Sequence, residues 1–390
     1  MSLRSKTLLA TPASTAVALQ PKHHYIMAEH NTILMVKGKL VLKDGHTFEG
    51  KIFGAETSSA GEVVFSTGMV GYPESLTDPS FEGQILTFTY PLIGNYGVPN
   101  ESKDRYGISK VFESTRIHVK GVVVSEYSDN FSHWHAGKSL GQFLKEAGVP
   151  GITGIDTRAL TKILREKGCM LGKIVVEGRD TDWYDPNAVN VIPQVSPKKP
   201  EIYEAGKKRL VVIDCGVKNN TLRHFLNRNI TLIRVPWDYD FIEKGEKFDA
   251  VFVSNGPGDP ALLGPTVEII KKCFALKKPV FGICLGNQLM GIAAGAKTYK
   301  LKYGHRAQNQ PCIDTDTGRC YMTSQNHGFA LERKSLPKDW KEWFTQANDD
   351  TVEGIRHSRL PFMAVQYHPE ACPGPVDTEN LFDRFIDTFK

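Results

Sequence analysis

Two different hydrophobic patterns occupy the two halves of the chain. In the first half, apolar and polar residues alternate from residue 33 through ILMVKGKLVLKDGHTFEGKIFG, and the central Asp44-Gly45 pair predicts a β-hairpin. Similar segments continue to residue 188, which predicts a mixed α+β domain of largely antiparallel character over residues 33–188. The further predicted strands lie at 62–66, 84–90 and 119–125, and the predicted helices at 139–147 and 158–166.

The second half, residues 210–390, alternates strongly apolar strands with helices. Strands are predicted at RLVVIDCG, TLIRVP, FDAVFVSN, PVFGIC and PFMAVQY, and helices over 218–227, 262–276 and 377–388. Apolar strands separated by helices predict an α/β fold with a mostly parallel sheet flanked by helices. Sheets of this kind place their sites at the carboxyl ends of the strands.

Two segments fall outside these domains. Residues 189–209 contain three prolines and clustered lysines, which predicts a linker; its basic run is typical of a solvated segment, and an anionic partner is the alternative. Residues 1–32 form a leader or a disordered tail, because the first 28 residues contain no acid and resemble a transit peptide, although Met27 offers an alternative start. The leader favours the mitochondrial matrix, with the cytoplasm as the alternative.

Composition argues against nucleic-acid binding, a membrane span, a disulfide framework and a zinc site. A net charge of +5 on 390 residues does not predict nucleic-acid binding, and no apolar run approaches the roughly 20 residues of a membrane span. None of the seven cysteines has CxxC spacing, which favours a reduced intracellular setting. Cys312, Cys320 and His327 lack the close ligand pairs of a zinc site, so no metal is expected.

The strongest chemical signal is a cysteine between two glycines. In the segment PVFGICLGNQ, a short strand leads directly into a helix, and Gly282 and Gly286 flank Cys284 at two residues on either side. This is the pattern of a nucleophile elbow. The helix N-terminus favours a thiolate at Cys284, and the Leu285 amide would point toward a developing oxyanion.

A cysteine nucleophile needs a base and a group that orients it. The strand PFMAVQY ends in His368-Pro369-Glu370, which places an imidazole and a carboxylate at a strand's carboxyl end. His327 is the rival base, disfavoured because no carboxylate lies beside it in the sequence. The loop SNGPGDP after the strand at 250–253 offers backbone amides, of which Gly256 would complete the oxyanion hole. No P-loop motif occurs, so nucleotide chemistry is expected on another domain or chain.

The elbow, the NGPGD loop and the HPE segment together resemble class I glutamine amidotransferases of the triad type. The first half resembles the small subunit of carbamoyl-phosphate synthetase through GEVVF (61–65), GYPESLTDPS (71–80), PLIGNYG (91–97) and GIDTR (154–158), as does GAKTY (295–299) in the second. The resemblance covers residues 33–389. It implies Cys284 as nucleophile, His368 as base and Glu370 as its partner, and these glutamine-binding positions: Ser80, Gly256, Gly258, Leu285, Gln288, Asn326, Gly328 and Phe329.

The resemblance implies that L-glutamine is hydrolysed to glutamate and ammonia through a cysteinyl thioester. The ammonia would pass to a synthetase large subunit or to fused synthetase domains, where bicarbonate and ATP yield carbamoyl phosphate. No cofactor is expected in this chain, since ATP and Mg²⁺ belong to the synthetase. The pathway is left open between arginine, pyrimidine and urea synthesis.

One residue departs from the family pattern. The family usually has histidine where this chain has Asn287. The ammonia-using animal synthetases share that asparagine, but in the resemblance they lack the cysteine, whereas this chain keeps Cys284 and Gln288. The alternative function is therefore a catalytically silent, amidotransferase-like regulatory or binding module. An amidotransferase of the anthranilate, guanylate or cytidylate type is disfavoured, because those families lack this N-terminal domain.

Overall fold

The hairpin at Asp44-Gly45 is the first element of a closed seven-stranded barrel. The computed structural model describes residues 36–390, so the predicted leader at 1–32 lies outside the described residues. The two hairpin strands pair antiparallel, with Lys37 opposite Lys51 and Val41 opposite Thr47. The strands of this half are β1 (Lys37–Leu42), β2 (Thr47–Gly54), β3 (Ser59–Ser66), β4 (Gln84–Phe88), β5 (Leu92–Ile93), β6 (Val98–Pro99), β7 (Gly121–Val123), β8 (Glu126–Tyr127), β9 (Ala136–Lys138), β10 (Pro150–Thr153) and β11 (Met170–Val176).

The barrel has the strand order β1-β11-β3-β4-β7-β10-β2 and closes through the β1–β2 pair. The neighbours β3, β4, β7 and β10 run parallel, and the other pairs run antiparallel. The alternating pattern predicted strands but not this parallel group, because alternation does not encode the direction of a neighbour. Apolar side chains from six of the strands fill the interior: Leu40, Val63, Ile85, Val123, Ile152 and Ile174.

Three helices accompany the barrel: α1 (Tyr72–Thr77), α2 (Leu140–Glu146) and α3 (Thr157–Lys167). The two longer helices begin where the sequence predicts. The Ser139 hydroxyl accepts a hydrogen bond from the backbone of α2, and the Asp156 carboxylate accepts one at 2.8 Å from the Ala159 amide of α3. Such caps satisfy amides that have no partner within the helix.

The second half forms a ten-stranded sheet in the order β12-β14-β13-β15-β16-β21-β20-β18-β17-β19. Its strands are β12 (Glu201–Tyr203), β13 (Lys208–Asp214), β14 (Ile230–Pro236), β15 (Ala250–Val253), β16 (Val280–Ile283), β17 (Thr298–Asp314), β18 (Cys320–Leu331), β19 (Trp340–Gln346), β20 (Val352–His357) and β21 (Phe362–Val365). Its helices are α4 (Asn219–Asn227), α5 (Gly264–Leu276), α6 (Leu285–Ala294) and α7 (Asn380–Ile386).

Only half of this sheet is parallel. The strands β14, β13, β15, β16 and β21 form the predicted parallel block, and the other five strands pair antiparallel. The prediction of a mostly parallel sheet therefore holds for the block but not for the β17–β18 hairpin and its neighbours. That hairpin carries many polar residues and two register shifts, which weaken its alternation. Residues 201–203 within the predicted linker form the edge strand β12.

Apolar residues cover both faces of the parallel block. On one face, Ile270 of α5 and Leu289 and Met290 of α6 join the strand residues. On the other face, Phe225 of α4 and Phe382 of α7 pack against the sheet. Because both faces are covered, the exposed edge at the carboxyl ends of the strands is where polar groups gather.

The barrel and the sheet are hydrogen-bonded to each other. The Thr67 amide donates to the Arg306 carbonyl at 3.1 Å, and the Cys169 amide donates to the Lys302 carbonyl at 2.9 Å. The described residues, 36–390, accordingly form one compact unit. The domain boundaries at 188 and 210 stay a prediction. None of the helices in the described part of the chain is long and apolar enough to cross a membrane.

The barrel interior provides the first testable prediction. Leu40 is fully buried, so Leu40→Ala removes apolar contacts and leaves a cavity, which is expected to lower the free energy of unfolding by about 2–5 kcal/mol. Urea denaturation followed by circular dichroism measures the change. Lys39→Ala on the same strand is the control, because the Lys39 side chain is exposed and its loss is worth about 0.5 kcal/mol or less. Equal effects of the two substitutions would contradict the barrel packing.

Candidate active site

Cys284 lies at the junction between β16 and α6. Its backbone has φ 54° and ψ −104°, a conformation that residues with a side chain rarely adopt. The Cys284 amide donates to the Val365 carbonyl at 2.8 Å, which ties the junction to β21. The sulfur therefore lies at the N-terminus of a ten-residue helix, where the helix dipole favours negative charge.

The two glycines that flank Cys284 are required by close backbone packing. A β-carbon on Gly286 would lie 2.1 Å from the Val253 carbonyl oxygen, and one on Gly282 would lie 2.7 Å from the Gly286 carbonyl carbon. A real β-carbon cannot lie so close to either atom without a steric clash. The elbow expected from the sequence is thus present, and its glycines allow β15, β16 and α6 to approach each other.

His368 and Glu370 follow β21, the neighbour of β16. The Nδ1–H of His368 donates to a Glu370 carboxylate oxygen at 2.6 Å, and both side chains are buried. The His368 amide also donates to the Ser324 carbonyl at 2.8 Å, which fixes the loop to β18. Nε2 of His368 makes no hydrogen bond within the described part of the chain, but the Cys284 sulfur is near enough to raise the pKa of the imidazole.

Lys218, just before α4, is a buried partner that sequence reasoning missed. Its ammonium group lies 3.3 Å from the Glu370 carboxylate and also donates to the Ala371 carbonyl. The half-buried Asn220 side chain holds the same segment by donating to the Glu370 carbonyl. Lys218, Glu370 and His368 thus form a line of alternating charge that ends toward Cys284.

The pKa shifts follow from this line. Burial opposes charge on Glu370, but Lys218 and His368 outweigh it and lower the pKa of the carboxyl to about 2. Burial also opposes charge on His368, but Glu370 and the Cys284 sulfur outweigh it and raise its pKa to about 10. Burial lowers the pKa of Lys218, and Glu370 and Glu113 overcome it and raise the pKa above its usual value. The arrangement therefore favours an imidazolium between a carboxylate and a sulfur.

The NGPGD loop after β15 approaches the elbow from the other side. A β-carbon on Gly256 would lie 2.1 Å from the Cys215 carbonyl oxygen and 2.9 Å from the Leu285 side chain, so only glycine fits there. The side-chain Nδ2 of Asn255 donates to the Ser80 hydroxyl at 2.9 Å and to the Gly216 carbonyl at 2.9 Å. Ser80 belongs to the short turn after α1, so the first half of the chain contributes directly to the site.

A narrow cavity opens at Cys284. Although Cys284 is only 2% exposed, its sulfur belongs to the cavity wall, 3.6 Å from the Asn326 carbonyl. Seven of the eight predicted glutamine-binding residues line the same cavity: Ser80, Gly256, Gly258, Gln288, Asn326, Gly328 and Phe329. Leu285, the eighth, lies directly after Cys284 at the start of α6.

Asn287 lies behind this cavity. It is fully buried, and its side-chain amide donates to the side-chain oxygen Oε1 of Gln366 at 3.1 Å. The side-chain Nε2 of Gln288 donates to the same oxygen at 3.2 Å and to the Phe329 backbone carbonyl at 2.8 Å. Asn287 therefore supports Gln288 through Gln366, and its amide does not occupy the space beside the sulfur.

Two family models together match most of the chain. The family model described as carbamoyl-phosphate synthase small chain, CPSase domain, matches residues 40–174, and that of glutamine amidotransferase class-I matches residues 211–388. The carbamoyl phosphate synthase arginine-specific small chain of Emericella nidulans is 47% identical over 91% of this chain and 80% of its own. The chain belongs to the carbamoyl-phosphate synthase small-chain family.

Longer relatives match as well. The multifunctional protein CAD of Squalus acanthias is 51% identical over 89% of this chain, and the multifunctional protein ura1 of Schizosaccharomyces pombe is 47% identical over 99% of it. The chain spans 16% and 18% of the lengths of these two relatives. Small-chain sequences therefore occur both as separate proteins and as parts of much longer ones.

Five further residues that the sequence did not predict as part of the site also line the cavity: Glu62, Gln84, Asn187, Lys300 and Arg306. The Glu62 carboxylate is buried and accepts hydrogen bonds from Lys300 at 2.6 Å, Gln84 at 3.0 Å and Asn187 at 3.2 Å. A charged residue inside the apolar strand GEVVF was the one sequence signal available for this group.

His327, the rival base, has a carboxylate partner after all. Its Nε2 lies 3.3 Å from Glu353, so the lack of a neighbouring carboxylate in the sequence did not mean that the folded chain provides none. His327 Nδ1–H donates to the Phe329 carbonyl at 2.9 Å, and Glu353 also contacts His305, which pairs with Asp349 at 2.8 Å. His305, His327 and Glu353 bring their ligand-type atoms within 4.8 Å of one another, a grouping different from the Cys312, Cys320 and His327 set weighed from the sequence.

The histidine–carboxylate cluster is expected to make the free energy of unfolding fall as the pH becomes alkaline. Burial lowers the pKa of His305, but Asp349 and Glu353 outweigh it and raise the pKa from 6.5 to about 9. Charge on His305 thus stabilises the fold fully below pH 6.5, and this contribution is lost as the pH rises through about 9. His305→Gln is expected to lower the free energy of unfolding by about 2–3 kcal/mol at pH 6 and by much less at pH 10.

Urea denaturation of both proteins from pH 6 to pH 10 measures this difference. His46→Gln is the matched control, because the His46 side chain is exposed in the β1–β2 turn. A destabilisation by His305→Gln that is the same at pH 6 and pH 10 would show that its charge contributes nothing.

Proposed function

We propose that this chain hydrolyses L-glutamine to L-glutamate and ammonia through a thioester on Cys284. One observation carries the proposal: the elbow cysteine, a buried His–Glu pair and a cavity lined by the predicted glutamine-binding residues meet at the carboxyl ends of β15, β16 and β21. Membership of the small-chain family and the match to class I glutamine amidotransferases support the same reaction.

In the first half-reaction, the Cys284 thiolate attacks the side-chain carboxamide carbon of glutamine. The amides of Leu285 and Gly256 stabilise the oxyanion of the tetrahedral intermediate, at about 3 kcal/mol per donor. The His368 imidazolium gives its Nε2 proton to the departing nitrogen, the C–N bond breaks, and ammonia leaves a glutamyl thioester. The nearness of the Cys284 sulfur to the imidazole, with Nδ1 already held by Glu370, supports that role for Nε2.

In the second half-reaction, neutral His368 removes a proton from water. The resulting hydroxide attacks the thioester carbonyl, the same two amides stabilise the second intermediate, and the C–S bond breaks. Glutamate is released, and Cys284 returns to a thiolate beside a protonated His368. Glu370 keeps Nδ1 protonated throughout, so that Nε2 is the nitrogen that exchanges protons.

Lys218 acts on this cycle as a positioning residue. Its charge keeps Glu370 ionised in a fully buried place, and an ionised Glu370 is what holds the imidazole in the useful tautomer. Ser80 extends the site to the first half of the chain, which supports a substrate position between barrel and sheet.

The ammonia is proposed to pass to a carbamoyl-phosphate synthetase large subunit or to fused synthetase domains. Ammonia is protonated in water and then no longer nucleophilic, so a sheltered route to the partner fits the chemistry. ATP and Mg²⁺ act on the synthetase in this proposal. The small-chain relative supports a separate partner, and the multifunctional relatives support a fused one. The acid-free leader supports a mitochondrial matrix location, with the cytoplasm as the alternative.

Cys284→Ser tests the nucleophile. The variant is expected to lose glutamine hydrolysis by roughly 10⁴-fold or more, because the reaction then lacks its covalent step. A coupled glutamate assay, with and without a synthetase partner, measures the rate. Cys320→Ser is the control, since Cys320 is exposed and outside the cavity. Unchanged hydrolysis by Cys284→Ser would contradict catalysis by Cys284, His368 and Glu370. A parent that is inactive in both assays would favour the alternative of a catalytically silent module.

The pH dependence of kcat in a Lys218→Met variant tests whether Lys218 keeps Glu370 ionised. Without the ammonium, the pKa of Glu370 rises, because burial is then opposed by His368 alone. The acid limb of the kcat profile, which in the parent lies below pH 4, is expected to move up into the measured range, and Lys218→Arg to move it back. Steady-state kinetics from pH 4 to pH 8 gives the profile. An acid limb that stays in place in Lys218→Met would show that Lys218 has only a structural role.

A further inference from the structure

Arg306 is a buried cation without an acidic partner. Its side chain is 7% exposed, it forms no salt bridge with any described residue, and its Nε has no hydrogen-bond partner among them. Its single side-chain hydrogen bond runs from Nη1 to the Tyr303 carbonyl at 2.8 Å. A buried charge without a counter-charge is costly, so an unpaired guanidinium in this position indicates a binding place for an anion.

Such an anion would lie in the cavity that contains Cys284. Arg306 lines that cavity and lies directly opposite Asn326 in the β17–β18 ladder, and directly opposite side chains point to the same face of a sheet. The Asn326 carbonyl is in turn 3.6 Å from the Cys284 sulfur. Nucleophile and guanidinium therefore face one space from neighbouring positions.

Two glycines make room for the guanidinium. A β-carbon on Gly328 would lie 3.2 Å from Arg306 Nη2, and one on Gly304 would lie 2.5 Å from Nη1. Gly328 is two residues beyond Asn326, which is about 7 Å along a strand and on the same face. This spacing suits a substrate that carries its reacting carboxamide at one end and an anion at the other.

The other charges of the cavity do not neutralise Arg306. Glu62 is already held by Lys300, Gln84 and Asn187, so that this group carries no excess negative charge. One positive charge thus remains for the ligand. Arginine binds carboxylates through its N–H donors; here Nη1 is bonded to the Tyr303 carbonyl, Nε is buried, and Nη2 makes no hydrogen bond with a described residue, so Nη2 is the donor left for a ligand.

We infer that Arg306 binds the α-carboxylate of glutamine and so makes the site select an amino acid over a neutral amide. The inference rests on the proposed glutamine hydrolysis and adds a specificity residue to it. The carboxylate and the carboxamide of glutamine are separated by Cα, Cβ and Cγ. Arg306 can therefore hold one end of the substrate while Cys284 attacks the other.

L-glutaminamide, in which a neutral amide replaces the α-carboxylate, tests this role. Arg306→Gln is expected to lower kcat/KM for glutamine by roughly 100-fold and to change that for glutaminamide by less than about threefold. The preference for glutamine should then largely disappear. Arg306→Lys, which keeps the charge but loses the guanidinium, should lie between the two. Arg319→Gln in the exposed turn of the same hairpin is the control and should behave like the parent.

The outcome is independent of whether hydrolysis occurs. In the Cys284→Ser background, titration calorimetry measures binding of glutamine and of glutaminamide, and Arg306→Gln should weaken only the binding of glutamine. An unchanged ratio between the two ligands in Arg306→Gln overturns the inference, even if the parent hydrolyses glutamine. A parent that binds glutamine through Arg306 but releases no ammonia overturns the proposed reaction and leaves the inference standing. Thermal unfolding by circular dichroism confirms that each variant is folded.

Discussion

The strained backbone of Cys284 is the constraint on which the rest of the site depends. Its φ of 54° arises because Cys284 alone connects β16 to α6, a conformation that costs on the order of 1–3 kcal/mol. The close packing of Gly282 and Gly286 and the hydrogen bond from Cys284 to Val365 hold it in place. The result is a sulfur at a helix N-terminus, beside the carboxyl ends of the adjacent parallel strands.

Those strand ends determine what the sulfur meets. The neighbour β21 delivers His368 and Glu370, and the neighbour β15 delivers the Gly256 loop. The charges then fall into two groups, since Lys218 compensates Glu370 behind the imidazole while Arg306 faces the cavity without a partner. The first group prepares proton transfer, and the second provides a place for the charge of the substrate. Both groups are buried, so neither is strongly screened by solvent.

The part of the fold and site predicted from the sequence is the part encoded locally. The hairpin at Asp44-Gly45, the elbow at Cys284 and the His368–Glu370 pair each lie within one short segment, so turn chemistry and spacing reveal them. The roles of Lys218 and Arg306 were not predicted, because the groups that surround them come from segments distant in the sequence. His327 shows the same limit, since its carboxylate, Glu353, lies on another strand. The barrel closure and the antiparallel half of the sheet also depend on long-range pairing that periodicity does not specify.

Trapping the covalent intermediate tests the central claim most directly. The protein is mixed with glutamine, quenched in acid within the first turnover, digested, and analysed by mass spectrometry for a glutamyl group on each cysteine-containing peptide. The account predicts an adduct on the Cys284 peptide that hydroxylamine removes and that is absent from the other six cysteines. Glutamine turnover without that adduct, or an adduct on another cysteine, would contradict it.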